Sequence, residues 1–202
     1  AKPIINPHPF ATRFPLIGTM DYEGVKTQIV DLPSIGSENF DIGIANTADC
    51  LIIVLERLED LQEVEKYLSR STGKKIIAIN KCDKLNEEEL RKLQEKIRSK
   101  KIKAITISCE TDMNLDELKK KIFQSMEVIR VYTKEPGKQK SNIPIVLDVN
   151  STVRDVAEKI LKGFSQKVKE TRISGPSSKF ANQKIGLSHI LKDQDIVEFH
   201  TK

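Results

Sequence analysis

No apolar run in these 202 residues approaches the ~18 that cross a bilayer as a helix, so the sequence predicts no helical span and no membrane partner. Cysteine is scarce. Cys50, Cys82 and Cys109 are odd in number, lie far apart and lack C-x-x-C spacing, which argues against a zinc site or a disulfide framework and for reduced, partly buried thiols. His8, His189 and His200 show no ligand spacing either and read as packing or hydrogen-bonding residues. There is no internal repeat, low-complexity tract or signal peptide, and the first residue is Ala1, so a cytoplasmic, processed or excised chain is expected.

What is present is a globular composition, 38% hydrophobic and 31% charged. The length suits one medium domain and a smaller one. Charge divides the chain: residues 1–127 hold 20 Lys and Arg against 21 Asp and Glu, and residues 128–202 hold 14 against 8. The basic surplus therefore belongs to the C-terminal part. It favours a polyanionic partner, with a solvated lysine-rich surface as the plainer alternative.

From Gly24 onward, apolar strands alternate with amphipathic helices. Thr27–Val30, Leu51–Leu55, Ile76–Ile79 and Ala104–Ile107 read as strands, the Leu/Ile/Val runs being of the kind buried on both faces of a parallel sheet. Leu58, Leu61, Val64 and Leu68 mark one helix, Asn86 caps a second over Glu87–Lys100, and Asn114 with Glu117 predicts a capping box for a third over Leu115–Met126. The pattern predicts βαβ units. After Met126 the rhythm changes to strands at Ile129–Thr133 and Pro144–Val149, a helix capped by Ser151 or Thr152, and strands at Val168–Ser174, Gln183–Ile185 and Ile196–His200. This predicts two domains, 1–127 and 128–202, the second a small α+β module.

Ligands bind at the carboxyl ends of parallel strands. Three strings stand there: Asp31-Leu32-Pro33-Ser34, Asn80-Lys81-Cys82-Asp83 and Ser108-Cys109-Glu110. A carboxylate at the mouth of such a strand can accept two parallel hydrogen bonds from the N1 and N2 donors of guanine, an edge adenine lacks, which gives Asp83 its interest. Taken singly, Asp31 reads equally well as a polar strand end and Asn80 as a cap.

In order and spacing the strings resemble the DxxG, NKxD and SAx motifs of GTP-binding proteins. Upstream, Pro9-Phe10-Ala11-Thr12-Arg13-Phe14-Pro15-Leu16-Ile17-Gly18 resembles the switch I segment of the Obg and DRG (developmentally regulated GTP-binding protein) group of P-loop GTPases. The segments Pro144–Val149 and His189–Val197 resemble parts of a TGS domain, a ubiquitin-like β-grasp. The resemblance implies an incomplete P-loop GTPase-type parallel sheet with flanking helices, then a TGS domain. It also implies GTP or GDP with magnesium, slow GTP hydrolysis, and a ribosome or structured RNA as partner, with a protein partner of the TGS domain as a further option.

By the same resemblance Thr12 and Asp31 would hold magnesium, directly and through water, and the Ser34 amide would face the γ-phosphate. Asn80 and Asp83 would hold the loop and read guanine, Lys81 would lay its stem along base or sugar, and the Ser108–Cys109 backbone would meet the guanine oxygen. Lys159, Lys162, Lys167, Lys169, Arg172, Lys179 and Lys184 are the candidate RNA-phosphate contacts.

The sequence departs from the group at Ser34, which stands where the group has glycine. Ile35 offers no group to orient water, but that position is apolar in the resembled group as well. A larger gap is the phosphate loop G-x-x-x-x-G-K-[ST], which occurs nowhere; Ser71-Thr72-Gly73-Lys74-Lys75 precedes a strand and reads as a turn. The expectation is therefore part of a longer GTPase, binding nucleotide poorly alone. Without the central strand of the group's sheet, its two neighbours must pair directly, recruit another chain or be covered. The alternative is a non-catalytic RNA- or protein-binding module on a degenerate scaffold.

Overall fold

The computed structural model describes residues 12–201. Contacts divide the chain into two units, the first holding residues up to Met20 and Gln28–Met126, the second Asp21–Thr27 and Glu127 onward.

The first unit is built on three parallel strands, β3 (Cys50–Leu55), β4 (Lys74–Ile79) and β5 (Ala104–Thr106), with β4 in the middle. Alternate side chains explain the continuous apolar runs: Ile53, Leu55, Ile77 and Ile79 enter one core, and Ile76, Ala78, Ile105 and Ile107 enter another. The first core takes in Leu58, Leu61 and Leu68, with Leu90, Leu93 and Ile97 of α3 (Glu87–Ser99) packed on it. The second is closed by Ile122 of α4 (Leu115–Ser125).

The predicted helix at Leu58–Leu68 is split into a 3-10 turn, Leu58–Asp60, and α2 (Leu61–Tyr67). One capping expectation is overturned. Asn114 takes φ 58° and makes no side-chain cap; its amide donates instead to the Thr106 carbonyl at 2.8 Å. At Asn86 the reciprocal box does form, with Glu89 N donating to Asn86 Oδ1 and Asn86 N to Glu89 Oε2, both at 2.9 Å.

Two elements escaped the sequence reading, β1 (Leu16–Tyr22) and α1 (Ile42–Thr47), the latter capped by Asp41 through Gly43 N and Ile44 N. β1 pairs with β2 (Val25–Asp31) across Glu23 and Gly24, both at positive φ as a tight hairpin needs. Among the described residues β2 and β3 do not pair; the hairpin and the three-stranded sheet are separate. The direct pairing left open by the sequence does not occur. Among the described residues β3 has β4 as its one neighbour, and Val54 on it is 56% exposed.

In the second unit five strands run in the order β7 (Ile145–Asp148), β6 (Val128–Lys134), β10 (Asp195–Thr201), β8 (Val168–Ser174) and β9 (Gln183–Ile185). Only β6 and β10 are parallel. Helix α5 (Val153–Ile160) lays Val153 and Val156 on Ile129, Val131, Leu147, Ile173 and Val197, the arrangement of a β-grasp. Asp155 secures its start by accepting from Thr152 N and Oγ1, both at 2.7 Å, and those bonds lower its pKa.

Candidate guanine-nucleotide site

Asn80 extends the parallel ladder by one bond, its N–H donating to Leu55 O at 2.7 Å, so its side chain emerges at the carboxyl end of the sheet. There its Oδ1 accepts the Cys109 N–H at 3.1 Å and ties the second loop to the third. Lys81 adopts φ 63°, turning the chain into a 3-10 turn, Cys82–Lys84. Cys82 points inward, its N–H donating to Ile107 O at 3.1 Å and its thiol to Ile79 O at 3.2 Å; burial pushes the thiol pKa up.

With Cys82 anchored, the next residue faces outward. Asp83 is exposed and makes no hydrogen bond or ion pair among the described residues, leaving both oxygens free to accept. The Lys81 ammonium pairs with Glu56, the residue after β3, which fixes the lysine across two strand ends. Ser108 is fully buried; its Oγ accepts from Glu110 N and Thr111 N, each at 3.2 Å, and its N–H donates to Met113 O at 3.1 Å. The loop is therefore rigid. The Cys109 N–H donates to Asn80 Oδ1, which holds in place the Ser108–Cys109 backbone expected to meet the guanine oxygen.

A second pair forms between Thr12 and Asp31, Oγ1 to Oδ2, at a long 3.4 Å. Ser34 is exposed, its carbonyl accepting from Ser37 N at 3.0 Å, and Ile35 packs on the first core. Two neighbouring hard oxygens match magnesium chemistry, but among the described residues no cluster of three acidic, His or Cys groups surrounds them. Remaining ligands would have to be phosphate and water. Pro9, Phe10 and Ala11 of the upstream motif lie outside the described residues.

The basic candidates of the second unit fall into two sets. Arg172 and Lys184 flank Glu170 at 2.9 and 2.8 Å, and the Lys184 hydrogen bond, then that of Arg172, lowers the Glu170 carboxyl to about 2. Lys159, Lys162, Lys167, Lys169 and Lys179 are exposed and have no ion pair among the described residues. Sequence reasoning missed Glu56 and the loop-bracing role of Asn114. Glu56 was within reach: the register Leu55↔Ile79 sets the residue after β3 beside the one after β4.

The family descriptions "50S ribosome-binding GTPase", "C-terminal region of MMR_HSR1 domain" and "TGS domain" match residues 1–81, 43–128 and 129–201. A GTPase-type domain followed by a TGS domain is thus the class of the chain. Ribosome-interacting GTPase 1 of Saccharomyces cerevisiae is 31% identical over 85% of this chain and 47% of its own length. A GTP-binding protein of Methanocaldococcus jannaschii is 31% identical over 66% of the chain and 36% of its own. Developmentally-regulated GTP-binding protein 2 of Homo sapiens is 27% identical over 63% and 34%. The chain is similar to proteins named as developmentally regulated and ribosome-interacting GTP-binding proteins and spans less than half the length of these relatives. Among solved structures, Era in complex with MgGDPNP and part of 16S ribosomal RNA shares the fold at TM-score 0.53 and 19% identity, over 85% of this chain and 62% of that one.

Proposed function

We propose that this chain supplies the guanine-reading and magnesium-facing side of the site of a longer GTPase. In that protein GTP is hydrolysed slowly with magnesium, and the nucleotide state is coupled through the TGS domain to a ribosome or structured RNA in the cytoplasm. The observation that carries this reading is the Asn80–Cys109 bond, which braces the loops while Asp83 stays free to accept. Thr12 and Asp31 are the residues that would hold magnesium, whose charge would offset that of the β- and γ-phosphates. Ile35 points to slow turnover, because a side chain packed on the core orients no water.

On this reading the phosphate loop, which the 202 residues do not contain, would be supplied by another part of the longer protein. Calorimetry on that protein with GDP, IDP and ADP tests the reading. Inosine lacks the 2-amino donor, so losing one charge-assisted hydrogen bond should weaken IDP by about 10- to 100-fold, and Asp83→Ala should erase the difference. Equal affinity for GDP and ADP would refute guanine selection. Ser34 in place of glycine favours a second reading, a module that binds without turnover; guanine selectivity with no GTP hydrolysis would establish it.

A further inference from the structure

We infer that Lys159–Lys169 is the surface through which the second unit grips RNA phosphates, an inference that rests on the RNA-binding reading above and narrows it. This segment carries Lys159, Lys162, Lys167 and Lys169 and no acidic residue. All four lysines are exposed and unpaired among the described residues. The two flanking carboxylates are occupied. Glu158 accepts from Gly163 N at 2.7 Å, Ser165 N at 3.3 Å and Ser165 Oγ, while Glu170 is held by Arg172 and Lys184. The seven sequence candidates thus separate: Arg172 and Lys184 share the Glu170 carboxylate, and four of the other five lie in one stretch that makes no ion pair among the described residues.

The stretch is also pre-shaped. Glu158 ties the loop to α5, and Phe164 meets Phe199 edge-on at 5.5 Å, so the lysines project from a fixed platform. The C-terminal end of α5 favours Lys159 and Lys162 whatever their role, but it does not account for Lys167 and Lys169. Four flexible ammonium groups without an arginine fork suit point-charge contacts to backbone phosphates. Lysine is depleted at protein interfaces, which favours RNA over an acidic protein.

The test is fluorescence anisotropy of the whole chain with a labelled 20-nucleotide RNA hairpin across a potassium chloride series. Changing all four lysines to Gln should weaken binding at least about 30-fold and flatten the slope of log K against log salt by about 3, while Arg172→Gln with Lys184→Gln should change it less than about twofold. Wild-type affinity in the four-lysine variant, or an equal loss in the Arg172/Lys184 variant, would overturn the assignment. So would retained RNA binding with lost binding to polyglutamate, which assigns the surface to an acidic protein. Failure of the wild-type chain to bind the hairpin would instead refute the RNA reading on which the assignment stands. Circular dichroism melting confirms that the variants fold.

Discussion

Arg130 stands in β6 with a side chain only 6% exposed, a position where an uncompensated charge is costly. Asp193 resolves this by accepting from Arg130 N at 2.7 Å, Nε at 3.0 Å and Nη2 at 2.6 Å, and Glu23 pairs with the remaining edge. The Asp193 hydrogen bond raises the Arg130 pKa further, so the guanidinium is always charged. Removing it strands Asp193. Arg130→Ala should therefore destabilise the second unit by about 2–4 kcal/mol in urea unfolding. Acidity acts on the same pair from the other side. Burial pushes the Asp193 pKa up, but the Arg130 bonds more than reverse this and leave it below the ordinary aspartate value. A depressed carboxylate contributes stability above its unfolded pKa and loses it as pH falls through the folded one. Unfolding free energy should thus decline below about pH 4, and Asp193→Asn should flatten that decline; an unchanged slope would remove Asp193 from the account. None of this was legible in the sequence, where Arg130 and Asp193 are 63 residues apart and Val128–Lys134 reads only as a strand.

Among the elements, β4 is placed by a close approach at its start. A Cβ on Gly73 would lie 2.2 Å from the Ala48 carbonyl oxygen, and Lys74 N donates to Asp49 O at 3.0 Å. In the Ser71–Lys75 string, which contains part of a phosphate-loop pattern, Gly73 therefore forms a bend and Lys74 and Lys75 already open β4 against β3. Gly73→Ala must displace backbone rather than a flexible side chain, at a cost of about 3 kcal/mol or more in thermal or urea unfolding. If Gly73→Ala unfolds as wild type does, the close approach is not what places β4. The strands that carry the site were readable because β-branched runs buried on two faces leave few alternatives. Caps were less so. Asn86 and Asn114 show the same N-x-x-E signal, yet only Asn86 forms the box, because Thr106 O, set near Asn114 by tertiary folding, takes the Asn114 amide. β1 went unread because Leu16–Tyr22 has neither an apolar run nor clean alternation, and its pairing depends on the hairpin turn at Glu23 and Gly24.

At the scale of the whole molecule, two cores built differently predict two stabilities. In the second unit one contiguous five-stranded sheet wraps α5, and Val131, Val153, Val156 and Val197 are completely buried. The first unit has a three-stranded sheet of its own, and of the separate β1–β2 hairpin it holds only the outer ends, Asp21–Thr27 falling in the second unit. A two-stranded ribbon is marginal by itself, and an edge strand such as β3 lacks half its hydrogen bonds. The first unit should therefore open first. Amide hydrogen exchange on the whole chain should show protection in β6, β8 and β10 outlasting that in β3 and in the β1–β2 hairpin, with β4, paired on both sides, the slowest of the first unit. Urea unfolding should then be resolvable into two transitions, because buried residues of the two cores are supplied by separate stretches of chain. A single transition with uniform protection would mean that the first unit draws its stability from the second. The consequence for the site follows from the same ordering: Asn80 follows β4, the strand paired on both sides, and bonds to the loop after β5, whereas Asp31 ends the hairpin and Thr12 precedes it. The guanine-reading corner should stay formed after the magnesium-facing pair has loosened.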